Sequence, residues 1–132
     1  MTSVKNKARH PALERDFEKA TRLRDAGKLS EAAAVLVSLA DRYPEDAPVH
    51  GMLGHVYDGL GKTREAAASF RRATDLAPRS ELASISLFHA LYELGDLDAA
   101  FAEMRRFKRT QRPSPEYDLL INDLKEELPP EE

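Results

Sequence analysis

The chain contains no cysteine among its 132 residues. That one absence excludes disulfide bonds, thiolate metal sites and a cysteine nucleophile. No apolar run approaches the roughly 18 residues of a membrane-spanning helix. Charge of one sign is scarce too: 20 Lys and Arg against 23 Asp and Glu leave a net charge of −3. No global field therefore draws the chain to nucleic acid. The first ten residues are basic but lead into no apolar stretch, so they do not read as a secretory signal. Together these absences make a cytoplasmic location the expectation. There is no Gly-x-Ser-x-Gly elbow, and no polar constellation stands apart from periodic surface charge, so no enzyme is expected. The segment Gly59-Leu60-Gly61-Lys62-Thr63 imitates a phosphate-binding loop only superficially. Val56 occupies the position of that loop's first glycine, and helices instead of a strand flank the segment.

What the sequence does have is a period. Leu53-Gly54, Tyr57, Gly61, Ala66, Phe70, Ala73 and Pro78 mark a helix–turn–helix pattern across residues 47–80. A shift back by 34 positions meets Ala20, Leu23, Gly27, Ala32, Leu36, Leu39 and Pro44. A shift forward meets Leu87, Leu91, Gly95, Ala100, Met104 and Phe107. The spacing and residue types resemble the tetratricopeptide repeat, a unit that buries its apolar face only by stacking on neighbours. The expected fold is all-α, an α-solenoid of three repeats (13–46, 47–80 and 81–114). A mobile arm over 1–10 precedes it. The solenoid domain covers 11–128, including a seventh, capping helix over 115–128, and 129–132 form an acidic tail.

Local signals set the expected helix boundaries. Pro11 suits a first helical turn. Ser30, Thr63, Ser80 and either Asp96 or Asp98 read as N-caps, and Ser114-Pro115-Glu116 reads as a cap followed by an acidic first turn. Tyr117, Leu120, Ile121, Leu124 and Leu128 fall on one stripe of the last helix, which suits a cover for the end of repeat three. Ala66, Ala67 and Ala68 offer a small-residue face for close packing. Phe88 stands where repeats one and two have Ala20 and Gly54, and should splay or rotate the third helix pair.

The resemblance implies function as well as fold. In that family the first helices of the repeats line a concave groove that holds a partner peptide. Carried over position by position, the groove comprises Glu14, Phe17, Thr21 and Arg24, then Gly51, His55 and Asp58, then Leu82, Ile85, His89 and Tyr92. Members that clamp the carboxylate of heat-shock chaperones use lysine, asparagine and arginine at sites where Phe17, Thr21, Ile85 and His89 stand here. That clamp is absent, and the lining is apolar and aromatic. Phe17, Ile85 and Tyr92 are the expected anchors, projecting into the groove without being needed by the core.

Two further patterns bear on function. His55 and His89 are 34 residues apart, with Asp58 and Glu93 one turn after each. Equivalent positions on adjacent repeats lie about a helix diameter apart, too far for one tetrahedral metal ion, so no metal and no cofactor are expected. Arg71-Arg72 and Arg105-Arg106 form a basic ridge on the second helices, without the interleaved aromatics of a nucleic-acid surface. The resulting expectation is a non-catalytic adaptor, monomeric or weakly dimeric, that binds a protein or peptide and neither nucleic acid nor membrane. The alternative within the resemblance is a dedicated single-client binder, such as a bacterial secretion chaperone or a toxin-inhibiting protein. A metal-dependent enzyme built on the two histidines is the outlying alternative.

Overall fold

A computed structural model describes residues 9–124. Arm residues 1–8, Leu128 of the stripe and the tail 129–132 lie outside the described residues. Seven helices follow in order: α1 (Pro11–Asp25), α2 (Leu29–Arg42), α3 (Ala47–Gly59), α4 (Thr63–Leu76), α5 (Glu81–Glu93), α6 (Leu97–Thr110) and α7 (Pro115–Leu124). No strand occurs among the described residues. The helices pack as successive antiparallel pairs, with α2 against α3 and α4 against α5 joining one pair to the next.

The turn inside each pair is the same device used three times. Gly27, Gly61 and Gly95 adopt φ of 78°, 75° and 81°, the left-handed region that a side chain would strain. The residue after each glycine then donates its N–H back to the helix just ended: Lys28 to Leu23 at 2.8 Å, Lys62 to Tyr57 at 2.9 Å, Asp96 to Leu91 at 3.0 Å. This is a Schellman-type closure. It leaves Lys28, Lys62 and Asp96 as N-caps of the following helices. Ser30 and Thr63 therefore lie within α2 and α4 instead of capping them, a correction to the sequence expectation. The helices begin earlier than those caps would require, by two residues at Ser30 and by one at Thr63. Asp96, and not Asp98, is the cap of α6, accepting from Ala99 N at 3.3 Å.

Between repeats, Asp46 caps α3 by accepting from Val49 N, and Ser80 caps α5 by accepting from Ala83 N. His10 is drawn into the fold as the N-cap of α1, its Nδ1 accepting from Ala12 N at 3.1 Å. Arg9 is engaged as well. It pairs with Glu14 and Asp46 and lies over the Phe17 ring at 4.7 Å. These two residues, grouped with the arm in the sequence reading, are thus held against repeats one and two.

The core divides in two. One cluster gathers Leu13, Ala20, Leu36, Leu39, Val49, Leu53 and Val56 around repeat one and α3. The other gathers Phe70, Leu87, Phe88, Phe101, Met104, Phe107, Tyr117 and Ile121. Tyr57 packs against both. Within repeat two, Gly54 lets Phe70 approach the α3 backbone, and α3 packs on α4 more extensively than either other pair packs. Ala66 and Ala67 are buried as expected, whereas Ala68 faces solvent. Repeat three solves its packing with aromatics. Phe88 is buried with Phe101 at 5.9 Å and Tyr92 at 5.8 Å between ring centroids. Phe101 occupies the position held by Ala33 and Ala67 in the earlier repeats.

Helix α7 closes the stack. Ser114 Oγ accepts from Tyr117 N, and Glu81 accepts from Ser114 N at 2.6 Å. Tyr117 is fully buried, its ring 5.5 Å from that of Phe107. Its hydroxyl ends a buried polar chain. Ser84 Oγ donates to Glu103 Oε2 at 2.6 Å, which leaves Tyr117, 3.1 Å away, to donate to Ser84. Arg106 completes the set with two bonds to Glu103, at 2.9 and 2.6 Å, and a third to the Pro78 carbonyl at 3.0 Å. One buried carboxylate thus joins α5, α6, α7 and the turn after repeat two. Burial pushes the Tyr117 hydroxyl up to about 12, and the Glu103 carboxylate adds to the shift.

Candidate functional site

A cavity of about 540 Å³ lies between α3 and α5, floored by α4. Its walls are Ala47, Pro48, Gly51, Met52 and His55 from α3, and Leu82, Ala83 and Ser86 from α5. Phe70, Ala73 and Ala77 form the floor, and Arg24 reaches in from α1. The surface is mainly apolar, and Leu82 stands 68% exposed at its edge. Gly51 determines its width: a Cβ built there meets nothing within 4 Å. A second recess of about 270 Å³ shares His55, Phe70 and Ser86 with the first and continues past Asp58, His89, Ala90 and Glu93.

The electrostatics of the two recesses differ. Arg24 is already committed, to Asp25 at 3.0 Å and to the Met52 sulfur at 3.0 Å. The His55 ring lies edge-on to Phe70, centroids 4.9 Å apart. Burial there lowers its pKa; Asp58 opposes the shift and Arg24 adds to it. Asp58 and Glu93 are exposed and belong to no ion pair among the described residues. Among those residues no group of three His, Asp or Glu side chains is arranged to hold a metal ion.

A family model for the tetratricopeptide repeat matches residues 52–115, from within α3 to the start of α7. Over those residues the chain carries the tetratricopeptide repeat. No curated protein sequence matches it. Among solved structures, the Yersinia enterocolitica type III secretion chaperone SycD in complex with a peptide of the translocator YopD superposes with a TM-score of 0.73. That match is 18% identical and covers 92% of both chains. The Sgt2 tetratricopeptide domain of Aspergillus fumigatus gives 0.75 at 15% identity, over 95% of this chain and 89% of that one. The first tetratricopeptide domain of Spaghetti (RPAP3), bound to the HSP90 peptide SRMEEVD, gives 0.75 at 18% identity, over 87% and 91%. At these identities the likeness is one of fold: an all-α repeat solenoid.

Against this fold the eleven groove positions read from sequence separate into two sets. Arg24, Gly51, His55 and Leu82 line the larger cavity, and Asp58 and His89 line the smaller recess beside His55. The other five are engaged elsewhere. Glu14 is paired with Arg9, and Phe17 lies beneath the Arg9 guanidinium while packing on the repeat-one core. Thr21 donates its hydroxyl to the Phe17 carbonyl one turn back. Ile85 and Tyr92 pack against the second cluster, Tyr92 with its ring on Phe88 and Phe101. The expectation that Phe17, Ile85 and Tyr92 are dispensable to the core is thereby corrected: a large apolar group with a neighbouring core within reach buries itself there.

Position-by-position transfer missed the floor, Phe70, Ala73 and Ala77, because it counted first helices only. The signal was present in Gly54, whose missing side chain leaves Phe70 lying across α3 at the base of the groove. Glu103 was also missed. It occupies the position of Val35 and Ser69 in the other repeats, so its aperiodic charge at an inward position marked it. The arginine ridge also divides. Arg106 is consumed by Glu103 and Pro78, and Arg72 reaches the Pro44 carbonyl at 3.4 Å, the equivalent contact one repeat earlier.

Proposed function

We propose that this protein is a non-catalytic adaptor that holds a segment of a partner protein in the groove between α3 and α5. One observation carries the reading. An apolar cavity of about 540 Å³ opens between α3 and α5, at a helix position kept free of any side chain by Gly51. A glycine inside an exposed helix costs about 0.5–1 kcal/mol relative to alanine. Gly54 recovers that cost by admitting Phe70, whereas Gly51 touches nothing in the free protein. A partner side chain entering that space recovers it instead. The peptide complexes of the SycD and RPAP3 domains support the reading by analogy of fold. No described helix is long and apolar enough to cross a membrane.

The test is affinity capture with the full chain and with Gly51→Leu, which fills the cavity without meeting neighbouring atoms at its Cβ. Partners retained by the parent and lost by the variant support the groove. Equal retention by both rejects it. One partner from the native host indicates a dedicated chaperone of a single client, and several indicate a general adaptor.

A further inference from the structure

Asp58 and Glu93 stand at the wrong ends of their helices. Each lies in the last turn, of α3 and α5 respectively, where unpaired carbonyls make the terminus partially negative and favour cations. Neither helix has a basic residue in that turn. The fold gains nothing from this placement. The two carboxylates nevertheless line one recess, which adjoins the apolar cavity at His55, Phe70 and Ser86. The other titratable groups around it do not cancel their charge. Arg24 is paired with Asp25, and His55 and His89 complete the rim without an ion pair to either carboxylate.

From this geometry we infer that the groove selects a segment with a large apolar residue in the cavity and a lysine or arginine two or three residues away in the recess. The spacing follows from the helix. Gly51 and Asp58 are seven residues apart on α3, on the order of 10 Å at 1.5 Å per residue. An extended chain covers that in about three residues, and the length of a basic side chain shortens it by one. The inference rests on the groove reading above and adds the chemistry of the occupant. A cation in the recess would also relieve the repulsion between the two carboxylates and their helix termini.

The experiment pans a phage library of random twelve-residue peptides against the full chain, then measures affinities of the enriched peptides by fluorescence anisotropy. Enriched peptides should carry Leu, Ile, Met or Phe with Lys or Arg two or three positions away. The double variant Asp58→Asn/Glu93→Gln should weaken them about three- to tenfold at low salt, with the difference shrinking as salt rises. The same variant should leave the free protein at least as thermostable as the parent, a result that a structural role for the carboxylates would reverse. Peptides lost on Gly51→Leu but lacking a basic residue, or indifferent to the double variant, overturn the cation inference and leave the groove reading intact. Peptides indifferent to Gly51→Leu, or a library that yields no binder, overturn both.

Discussion

Gly54 on α3 faces the Phe70 ring on α4 so closely that a methyl group on Gly54 would lie 2.5 Å from Phe70 Cε1. Three positions earlier on the same helix, Gly51 faces open groove. Two glycines on one helix thus invite opposite predictions. Gly54→Ala forces Phe70 out of place and should cost about 1–3 kcal/mol, as overpacked cores do. Gly51→Ala should stabilise by about 0.5–1 kcal/mol, the helix-propensity gain. Urea denaturation of the two variants checks both signs.

Leu82→Ala should weaken a groove-bound peptide by about 1–2 kcal/mol, a modest hot-spot loss, with the melting temperature unchanged because Leu82 touches no core. Tyr92→Ala should behave in the reverse manner. Removing a ring packed on Phe88 and Phe101 should cost about 3–5 kcal/mol of stability before any effect on binding can be read. Thermal melts paired with anisotropy titrations separate the two residues.

Glu103→Ala removes the shared acceptor of Ser84 and Arg106. The stranded hydroxyl and guanidinium should cost about 3–5 kcal/mol, the range for breaking a buried pair by deleting one partner. Replacing Glu103 and Arg106 together by Met and Leu should recover much of it. A double-mutant cycle in urea gives the coupling.

Tyr117 sets an alkaline limit. Its folded pKa, about 12, stands above the unfolded value of 10.0, so the folded state holds the proton more tightly. That contribution is fully present below pH 10 and is lost as pH rises toward 12, with a slope of at most about 1.4 kcal/mol per pH unit. Stability measured across that window should fall in the parent and fall less in Tyr117→Phe. Removal of residues 113–132 should expose Phe107 and the surface beneath Tyr117 and Ile121. A loss of several kcal/mol is then expected, on the order of 1.5–3 kcal/mol for each large side chain uncovered.

The repeat architecture was legible because it is written in backbone terms. Gly27, Gly61 and Gly95 recur where the turn needs positive φ, and Pro44 and Pro78 recur where helices must stop. The site was half legible. Gly51, His55, Asp58, Leu82 and His89 follow from the period, since equivalent positions on parallel helices share a surface. Phe17, Ile85 and Tyr92 did not follow. Whether a large side chain near a groove points outward or folds back depends on neighbours outside its own helix, Arg9 for Phe17 and Phe101 for Tyr92. Glu103 likewise gains its meaning only when Tyr117 arrives from another helix.

The two-part core has a kinetic consequence. Among the described residues Tyr57 is the one partly buried hydrophobic that packs against both clusters, and the boundary between them runs through the α3–α4 pair, held by Tyr57 and by the seat of Phe70 on Gly54. Fluctuations should open the chain by halves. In native-state hydrogen exchange, the amides of α1 and α2 should trade protons through one common opening, and those of α5, α6 and α7 through a rarer one anchored by Glu103. Tyr57→Ala should widen the gap between the two rates. A solenoid built from three similar repeats would then unfold as two unequal blocks.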